Sequence, residues 1–382
     1  MSIKIAVNTG GGDAPGLNAV VRAVALSARL RGWEVFGISY GYRGLIEDDP
    51  AGIVPLHRDT VRGITHLGGS ILGSTNRGDP FHYPVKVDGR MVPTDVSSKL
   101  IRRFQELGFS ALVAIGGDGS AKLAHRLLER GLPRVIAVPK TIDNDLAGTD
   151  MTFGFETAVT TAVDAIDKLH STAQAHERVM VVEVMGRYAG WIALYAGIAG
   201  GADAILIPEI PFNLDRVVEK IQRRERAGRP FSIVVVAEGA RPIGGAMSFD
   251  QAKDAFSEHA HLGGMAEYVA KELKQRTGKD TRSLVLGHLQ RGGSPVMSGR
   301  LLALRFGCAA MRFLEESSES GMVAMRGGET RLIPLADAIR GLRNVPLDSS
   351  ILQTGRDLGL SFGDEPAGMF ARETLRPAGL GG

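Results

Sequence analysis

Residues 111–120 read Ala-Leu-Val-Ala-Ile-Gly-Gly-Asp-Gly-Ser, a short apolar run that ends in three glycines around one aspartate. Short apolar runs alternate with helical patterns along much of the chain, which is typical of βαβ units and a largely parallel sheet. Glycines at the end of such a strand let a phosphate approach the backbone N–H groups of the helix that follows. The stretch therefore predicts an α/β fold that binds phosphate at the carboxyl end of a strand.

The alternation predicts the positions of the main elements. Predicted strands cover residues 3–8, 34–39, 111–115, 135–138, 179–184, 204–207, 233–237 and 284–286, and predicted helices cover residues 17–30, 97–107, 121–129, 156–169, 214–226 and 265–275. Two stretches do not follow it. Residues 76–94 are polar with scattered Pro and Gly and predict a loop or an irregular excursion, and residues 343–382 are rich in Gly, Pro and charge.

The composition limits the class of protein and its partners. The 382 residues suffice for two domains or one large α/β unit, and 44% hydrophobic with 23% charged residues is ordinary for a globular protein. Lys and Arg number 45 against 42 Asp and Glu, an excess too small to favour nucleic acid or a membrane as partner. The chain has one cysteine, no signal-peptide pattern and no apolar run of about 18 residues, so we expect a cytoplasmic protein.

A second glycine turn, residues 10–16 (Gly-Gly-Gly-Asp-Ala-Pro-Gly), follows the first predicted strand. Either turn alone is compatible with an ordinary strand-to-helix connection in which Asp13 or Asp118 caps the helix. Two acid-bearing glycine turns on parallel strands favour phosphate binding, because ligands of open α/β sheets bind at these carboxyl ends. Asp118 could then hold Mg²⁺ against the phosphates of a nucleotide.

Residues 139–145, Pro-Lys-Thr-Ile-Asp-Asn-Asp, follow the next predicted strand and indicate phosphoryl transfer. A kinase needs a carboxylate that accepts the proton of the attacking hydroxyl, and Asp143 is the candidate. Asp145 would orient the reacting groups or face the metal, and Lys140 would offset the charge that develops on the transferred phosphate. The alternative interpretation is an Asx turn without a catalytic role.

Cationic and polar residues follow further along the chain near predicted strand ends: Arg178, Met185-Gly186-Arg187, Glu238, Arg282 and His288-Leu289-Gln290-Arg291-Gly292-Gly293. Guanidinium groups bind phosphate and a carboxylate binds sugar hydroxyls, so the set suits a sugar phosphate. Each arginine alone is more often a solvated surface charge, and His288 could equally be structural. A histidine without a second one nearby argues against a zinc site.

Taken together, these motifs resemble the 6-phosphofructokinases. The resemblance rests on residues 11–18 (Gly-Gly-Asp-Ala-Pro-Gly-Leu-Asn), 116–119, 141–145, 185–187 and 287–295 (Gly-His-Leu-Gln-Arg-Gly-Gly-Ser-Pro), which occur in the order of the family. It implies two similar three-layer α/β/α, Rossmann-like domains with mostly parallel sheets and the active site in the cleft between them. The donor domain would cover residues 1–142 and about 290–340, and the fructose 6-phosphate domain residues 143–289 and about 341–370. Residues 371–382 would form a tail.

The resemblance also implies the reaction and its residues. The chain would transfer a phosphoryl group to the 1-hydroxyl of fructose 6-phosphate, a step of glycolysis. The catalytic set would be Asp143, Lys140, Asp145 and Arg187, with Asp118 as the magnesium ligand. The donor site would comprise Gly11, Gly12, Asn76, Arg77, Gly117, Asp118, Gly119 and Ser120. The sugar-phosphate site would comprise Thr141, Ile142, Asp143, Met185, Gly186, Arg187, Glu238, His288, Leu289, Gln290 and Arg291. Arg178 and Arg282 would reach in from a neighbouring subunit of a homodimer or homotetramer.

Two positions bear on the phosphoryl donor. In the family, pyrophosphate users tend to carry Asp at 119 and Lys at 140, whereas ATP users of the bacterial allosteric type carry Gly at both; this chain has Gly119 and Lys140. A carboxylate at position 119 would repel the α-phosphate of ATP, and Gly119 removes that block. We therefore expect ATP, while pyrophosphate, or use of both, stays open. Asn76 stands where the ATP-using bacterial type has an arginine, and the adjacent Arg77 is a candidate substitute.

Two other classes of protein stay open as alternatives. A lipid or NAD kinase would share the Gly-Gly-Asp-Gly turn but would have no reason to carry residues 288–291, and a substrate screen would separate it. An inactive nucleotide sensor is disfavoured because Asp118, Asp143 and Arg187 are all intact, and any turnover would exclude it.

Overall fold

The computed structural model describes residues 3–47, 49–76, 78–245, 249–251 and 261–367, which form two compact units. Unit 1 contains the described residues within 3–158 and 291–343, and unit 2 those within 159–251, 261–290 and 344–367. The predicted division put residues 143–158 in the second domain, whereas their contacts place them in unit 1. The reason is strand pairing, since Phe153 and Gly154 pair with Lys140 and Thr141.

The elements are named in chain order. The strands are β1 (Lys4–Thr9), β2 (Glu34–Ile38), β3 (Ile53–Pro55), β4 (Tyr83–Val87), β5 (Arg90–Thr94), β6 (Phe109–Gly116), β7 (Val135–Thr141), β8 (Phe153–Gly154), β9 (Val179–Val184), β10 (Ala204–Leu206), β11 (Ser232–Ala237), β12 (Phe249–Gln251), β13 (His261–Leu262), β14 (Thr281–Val285), β15 (Gly321–Arg326) and β16 (Glu329–Pro334). The helices are α1 (Leu17–Leu30), α2 (Arg43–Ile46), α3 (Ser97–Glu106), α4 (Asp118–Glu129), α5 (Phe155–Ala175), α6 (Trp191–Ala199), α7 (Leu214–Arg226), α8 (Met265–Thr277), α9 (Met297–Glu316), α10 (Leu335–Ala338) and α11 (Ser350–Asp357). Short 3₁₀ turns cover Pro50–Gly52 and Gly287–Arg291.

The large sheet of unit 1 has the strand order β16-β15-β7-β6-β1-β2-β3, with β8 paired to β7. Its pairs are parallel except β2–β3 and β15–β16. The chain passes from β1 to β2 on one side, and β6 later joins β1 on the other, so the strand order reverses at β1. Open α/β sheets bind ligands outside the carboxyl ends of strands at such a reversal. The glycine turns after β1 and β6 both lie there.

Helices cover both faces of this sheet, because its central strands are apolar on both sides. Along β1, Ile5 and Val7 belong to one buried cluster with α1 and α9. Ala6, between them, belongs to a second cluster with α3 and α4. Successive side chains of a strand point to opposite faces, so unit 1 has three layers, helices on both sides of one sheet.

Unit 2 contains a smaller, fully parallel sheet in the order β10-β11-β9-β14. Ala204 and Leu206 of β10 face a buried cluster with α7 and α8. Ile205, between them, points the other way, against Gly197 of α6, where an added Cβ would come within 2.6 Å of its side chain. Unit 2 therefore also carries helices on both faces of its sheet.

The structure corrects two predictions about irregular segments. The prediction of a loop or an irregular excursion over residues 76–94 is wrong for residues 83–94, because β4 and β5 form an antiparallel hairpin there. Its two-residue turn is Asp88-Gly89, both with positive φ (47° and 81°), which is a strong hairpin signal. Residues 343–382 are not wholly irregular, because α11 lies within them; the predicted tail, 371–382, falls outside the described residues. Within the described ranges, no helix has the length and apolar character needed to cross a bilayer.

Candidate active site

The two predicted glycine turns are in direct contact. β1 and β6 are parallel neighbours, and the amide of Gly10 donates a 2.9 Å hydrogen bond to the carbonyl oxygen of Ile115. Ser120 lies between the turns. A Cβ added to Gly10 would be 2.8 Å from the Oγ of Ser120, and a Cβ added to Gly116 would be 2.2 Å from the Cβ of Ser120. Both positions therefore need glycine for the turns to come together.

Lys140, near the end of β7, is close to both turns. Its side chain is buried, and its ammonium group donates a hydrogen bond to the carbonyl oxygen of Gly12. Burial, aided by the Arg291 guanidinium, lowers the pKa of Lys140 to about 8, and three nearby aspartates act in the opposite direction. The site thus holds a buried cation next to backbone that a phosphate can approach.

The loop after β7 carries two aspartates on either side of a residue in the left-handed conformation. Asn144 has a φ of 51° and is buried, and its Oδ1 accepts a 2.9 Å hydrogen bond from the amide of Thr152. The amide of Arg343 donates to the carbonyl oxygen of Asp145 (2.8 Å), and its guanidinium donates to that of Asn144 (3.1 Å). Contacts outside the motif therefore hold the backbone next to Asp143.

The carboxylates of this region interact strongly. Burial, with the adjacent Asp143 charge, raises the pKa of Asp145 to about 7, and Asp118 adds to the effect. A backbone amide and the hydroxyl of Thr141 act in the opposite direction. Like charges this close disfavour one another's ionisation, and a cation would relieve the repulsion.

Asp118 is the first residue of α4, so the alternative in which it caps a helix beginning near residue 121 does not hold. One carboxylate oxygen accepts a 2.6 Å hydrogen bond from Lys122. The other, Oδ1, is buried and lacks a hydrogen-bond partner among the described residues. A buried carboxylate oxygen without a partner is costly, and oxygen of this kind is what Mg²⁺ binds. Asp118 therefore fits a magnesium ligand.

A segment from residue 67 to residue 76 braces the first turn. Ser74 Oγ donates to the carbonyl oxygen of Gly11, whose amide donates to the carbonyl oxygen of Thr75 (3.2 Å). Buried Asn18 donates to carbonyl oxygens of the same segment, at residues 67 and 68. Asn76 is exposed at the end of this segment, and its predicted companion Arg77 lies outside the described residues.

In unit 2, several predicted sugar-phosphate residues gather beyond the ends of two paired strands. Residues 185–187 follow β9, and Glu238 follows the neighbouring β11. The two turns are in close contact, because a Cβ on Gly239 would lie 1.9 Å from the carbonyl oxygen of Arg187. Arg187 and Glu238 are thereby placed on adjacent turns.

The 3₁₀ turn Gly287–Arg291 brings further predicted residues. His288 and Leu289 are exposed, whereas Gln290 is fully buried. Gln290 Oε1 accepts a 2.8 Å hydrogen bond from the amide of Met185, so it supports the turn at residues 185–187. Its Nε2 is buried and has no hydrogen-bond partner in the part of the chain that the structure describes.

Arg291 belongs to unit 1, unlike the other predicted residues of that segment. Its Nη1 donates a 3.2 Å hydrogen bond to the carbonyl oxygen of Asp13, and a Cβ on Gly12 would lie 2.7 Å from this nitrogen. The guanidinium is therefore placed at the first glycine turn, next to Lys140.

Two predicted arginines are not brought together with Arg187 within this chain. Arg178 precedes β9 and Arg187 follows it, and six strand residues separate their ends by about 20 Å. Arg282 lies at the Arg178 end, opposite Met180 in the sheet. Both arginines form ion pairs with Asp280, at 2.7 and 3.1 Å.

Three residues that hold the site carry no signal that sequence motifs would detect: Ser74, Thr152 and Arg343. Arg343 is 199 residues from Asn144 along the chain and belongs to a segment without periodicity. Asn144 has a signal, because Asn is enriched at positive φ among residues other than Gly. An Asn between two aspartates could have been predicted to form a left-handed turn.

Comparison with known proteins identifies the family. The phosphofructokinase family model matches residues 4–314. This chain belongs to the phosphofructokinase family. Its relatives include an ATP-dependent 6-phosphofructokinase of Chloroflexus aggregans, 49% identical over 95% of this chain and 98% of its own length. A pyrophosphate–fructose 6-phosphate 1-phosphotransferase of Amycolatopsis methanolica is 47% identical over 90% of this chain and 96% of its own. The predicted family is confirmed.

Solved structures agree with the predicted fold. A phosphofructokinase of Pichia pastoris in the T-state superposes with a TM-score of 0.76 at 31% identity, covering 89% of this chain and 35% of that longer chain. A pyrophosphate-dependent phosphofructokinase of Marinobacter aquaeolei has a TM-score of 0.74 at 22% identity, covering 98% and 99%, a likeness of fold alone. The prediction of a two-domain α/β phosphofructokinase fold is confirmed.

Proposed function

We propose that this phosphofructokinase uses ATP to phosphorylate the 1-hydroxyl of fructose 6-phosphate. The observation that carries the proposal is the cluster of Lys140, Asp143, Asp145 and Asp118 beside two glycine turns at the strand reversal of unit 1. Relatives at 49% and 45% identity over at least 94% of this chain are named ATP-dependent 6-phosphofructokinases, which supports both substrates.

The residues of unit 1 account for the chemistry by position and charge. Asp143 would accept the proton of the 1-hydroxyl of the sugar while the oxygen of that hydroxyl attacks the γ-phosphorus of ATP. The bond between the γ-phosphorus and the oxygen that bridges it to the β-phosphate breaks, and ADP leaves. Lys140, charged below a pH of about 8, would stabilise negative charge on the transferred group. The turns at residues 10–12 and 117–120 would offer backbone N–H groups to the other phosphates.

Magnesium fits the same cluster. Asp118 would bind the ion through its buried Oδ1. Asp145, near both Asp118 and the base Asp143, would face the ion. When bound, the ion supplies positive charge to the β- and γ-phosphates of the donor. Among the described residues no group of three or more His, Cys, Asp or Glu side chains could hold a metal alone. Mg²⁺ commonly uses one or two carboxylates together with water and substrate phosphates.

We assign the sugar phosphate to the residues that gather in unit 2. Arg187 would bind anionic oxygen, and Glu238 would accept hydrogen bonds from sugar hydroxyls. Exposed His288 could donate or accept at the sugar or its phosphate. Gln290 supports this set through Met185.

Pyrophosphate is a second candidate donor. Lys140 is the residue that favours it, and a relative at 47% identity bears pyrophosphate in its name. Gly119, in the first turn of α4, favours ATP because it places no carboxylate beside the nucleotide phosphates. The donor therefore depends on which of these two positions dominates.

We further propose a homodimer or homotetramer in which Arg178 and Arg282 serve the sugar-phosphate site of a neighbouring subunit. Their distance of about 20 Å from Arg187 along β9 supports this, because neither guanidinium can share a phosphate with Arg187 of its own chain. Their common partner Asp280 holds both at the same edge of the sheet.

The deciding experiment assays purified enzyme with fructose 6-phosphate and Mg²⁺, using ATP and pyrophosphate in parallel. Turnover with ATP alone is the expected result. Turnover with pyrophosphate alone would overturn the assignment of the donor, and no turnover with either would overturn the function. An Asp143→Asn variant should lose about 10²–10⁴-fold in kcat, whereas an Asp88→Asn variant in the exposed hairpin turn should match the wild type.

A further inference from the structure

The catalytic loop, residues 141–146, is held from two sides by residues outside its motif. Thr152 contacts it from the segment that follows in sequence, and Arg343 contacts it from the last residue of unit 1. Both residues bond to Asn144 of the loop.

Arg343 binds the loop through both its backbone and its side chain. Its amide donates a 2.8 Å hydrogen bond to the carbonyl oxygen of Asp145, and its guanidinium donates a 3.1 Å hydrogen bond to that of Asn144. The adjacent Leu342 forms an isolated antiparallel bridge with Leu146. Three consecutive residues of the loop are thus tied to one two-residue strap.

Thr152 fixes the other side of the loop. Its amide donates to Asn144 Oδ1 (2.9 Å), and its hydroxyl donates to the carbonyl oxygen of Thr141 (2.8 Å). Both Thr152 and Asn144 are buried. Since Asn144 is held at positive φ, the backbone on either side of Asp143 has little freedom to reorient.

We propose that Arg343 is a positioning residue for phosphoryl transfer. By holding the carbonyl groups of Asn144 and Asp145, it fixes the direction of the Asp143 and Asp145 carboxylates relative to Lys140. This inference rests on the proposed function, in which Asp143 is the base. When a mutation remote from the chemistry displaces a reacting group by about 1 Å, the rate can fall by about 100-fold.

The test compares Arg343→Met with a matched control, Arg326→Met. Arg326 also donates a hydrogen bond to a carbonyl oxygen, that of Gly148, at 2.9 Å, but Gly148 lies outside the catalytic loop. Arg343→Met should lower kcat by about 10- to 100-fold, with KM for both substrates changed less than about threefold. Arg326→Met should keep the wild-type kcat. Arg343→Lys, which retains a donor, should recover part of the loss.

A second variant approaches the loop from the other side. Thr152→Val keeps the side-chain shape but removes the hydroxyl that donates to Thr141. It should also lower kcat with little change in KM, and the double variant with Arg343→Met should lose less than the product of the single losses, because both act on one loop. A double variant whose losses multiply would contradict a shared positioning role.

Amide hydrogen exchange separates this inference from the proposed function, because it needs no substrate. Arg343→Met should speed exchange of amides within residues 142–146, while Arg326→Met should not. Unchanged exchange, equal kcat in the two arginine variants, or a lower melting temperature with unchanged kcat would overturn the positioning role. Wild-type enzyme that is inactive with either donor would instead overturn the proposed function.

Discussion

The ammonium group of Lys140 donates a hydrogen bond to the carbonyl oxygen of Gly12, which ties the end of β7 to the turn after β1. β6 lies between these strands in the sheet, so the contact reaches across the turn that begins at Gly116. A Cβ on Gly11 would be 3.5 Å from the same nitrogen. The lysine that we propose to bear on donor choice is therefore held by the backbone that we propose to bind phosphate.

The pH dependence of donor use should report Lys140. Its pKa of about 8 lies below the usual value because burial penalises the charged form, so the ammonium is lost as pH rises through about 8. We expect kcat/KM for the donor to fall above that pH and Lys140→Met to lower kcat/KM by about 10²–10³-fold without this alkaline limb. The control is Lys168→Met, an exposed lysine paired with Asp164. An alkaline limb that persists in Lys140→Met would assign the titration to another group.

Asp145→Asn should stabilise the protein while it impairs catalysis. The pKa of Asp145 is raised to about 7, so the folded state holds this proton more tightly than the unfolded chain, and the wild type loses stability as pH rises from about 4 to about 7. The asparagine variant escapes this loss. A gain of about 1 kcal/mol would raise its melting temperature by about 2–4 °C at pH 8 and vanish by about pH 4.

The matched control for this stability experiment is Asp88→Asn, because Asp88 is exposed in the hairpin turn and asparagine tolerates its positive φ. Thermal unfolding of the three proteins across this pH range gives the comparison. If Asp145→Asn has no pH-dependent advantage over Asp88→Asn, the raised pKa of Asp145, caused by burial and by the neighbouring carboxylates, is wrong.

The assignment of Asp118 predicts a specific change in magnesium dependence. Asp118→Asn replaces a carboxylate, whose buried Oδ1 has no hydrogen-bond partner among the described residues, with a neutral amide, so the Mg²⁺ concentration for half-maximal rate should rise by about tenfold or more. KM for fructose 6-phosphate should change little. The rate is measured against free Mg²⁺ at saturating ATP. The control is Lys122→Met, which keeps the Asp118 carboxylate and removes only the hydrogen bond that Lys122 donates to its Oδ2. Equal magnesium dependence in Asp118→Asn and wild type would contradict the assignment.

Elements and motifs with local causes could be predicted from the sequence. Helix α1 has the predicted bounds, Leu17–Leu30, because its apolar residues recur at helical spacing directly after a Pro and Gly turn. Strand β9 likewise has the predicted bounds, Val179–Val184. The proximity of the glycine turns follows from the rule for the carboxyl ends of parallel strands. Such features depend on neighbours in the chain or on a general rule of topology.

The remainder depends on contacts that local patterns do not record. Arg343 meets the catalytic loop only after the chain returns from unit 2, and nothing in its own segment indicates that contact. The sequence pattern predicts that Arg178 and Arg187 lie at strand ends, but it does not show that these are opposite ends of the same strand, β9. The hairpin at residues 83–94 could have been found, since Asp88-Gly89 is a known turn signal.

Arg282→Ala should weaken sugar-phosphate binding in particular. Loss of one charged hydrogen bond of about 1.5–3 kcal/mol raises KM for fructose 6-phosphate by about 10- to 100-fold, with kcat changed less than about threefold. The control is Arg276→Ala, which removes an α8 arginine that pairs with Asp215 of α7 and Glu272 of α8. Unchanged affinity in Arg282→Ala would count against its role.

Mixing two defective subunits tests whether Arg282 acts on a neighbouring site. Arg282→Ala chains keep the base Asp143, and Asp143→Asn chains keep the arginine. If the arginine serves a neighbour, a mixed oligomer contains sites that combine intact Asp143 from one chain with Arg282 from the other, and activity at low fructose 6-phosphate rises above that of either variant alone. If Arg282 acts within its own chain, no such site can form and mixing restores nothing. The distance of about 20 Å between the two ends of β9 favours the first outcome, since the strand is too rigid to bring Arg178 and Arg282 to Arg187 of the same chain.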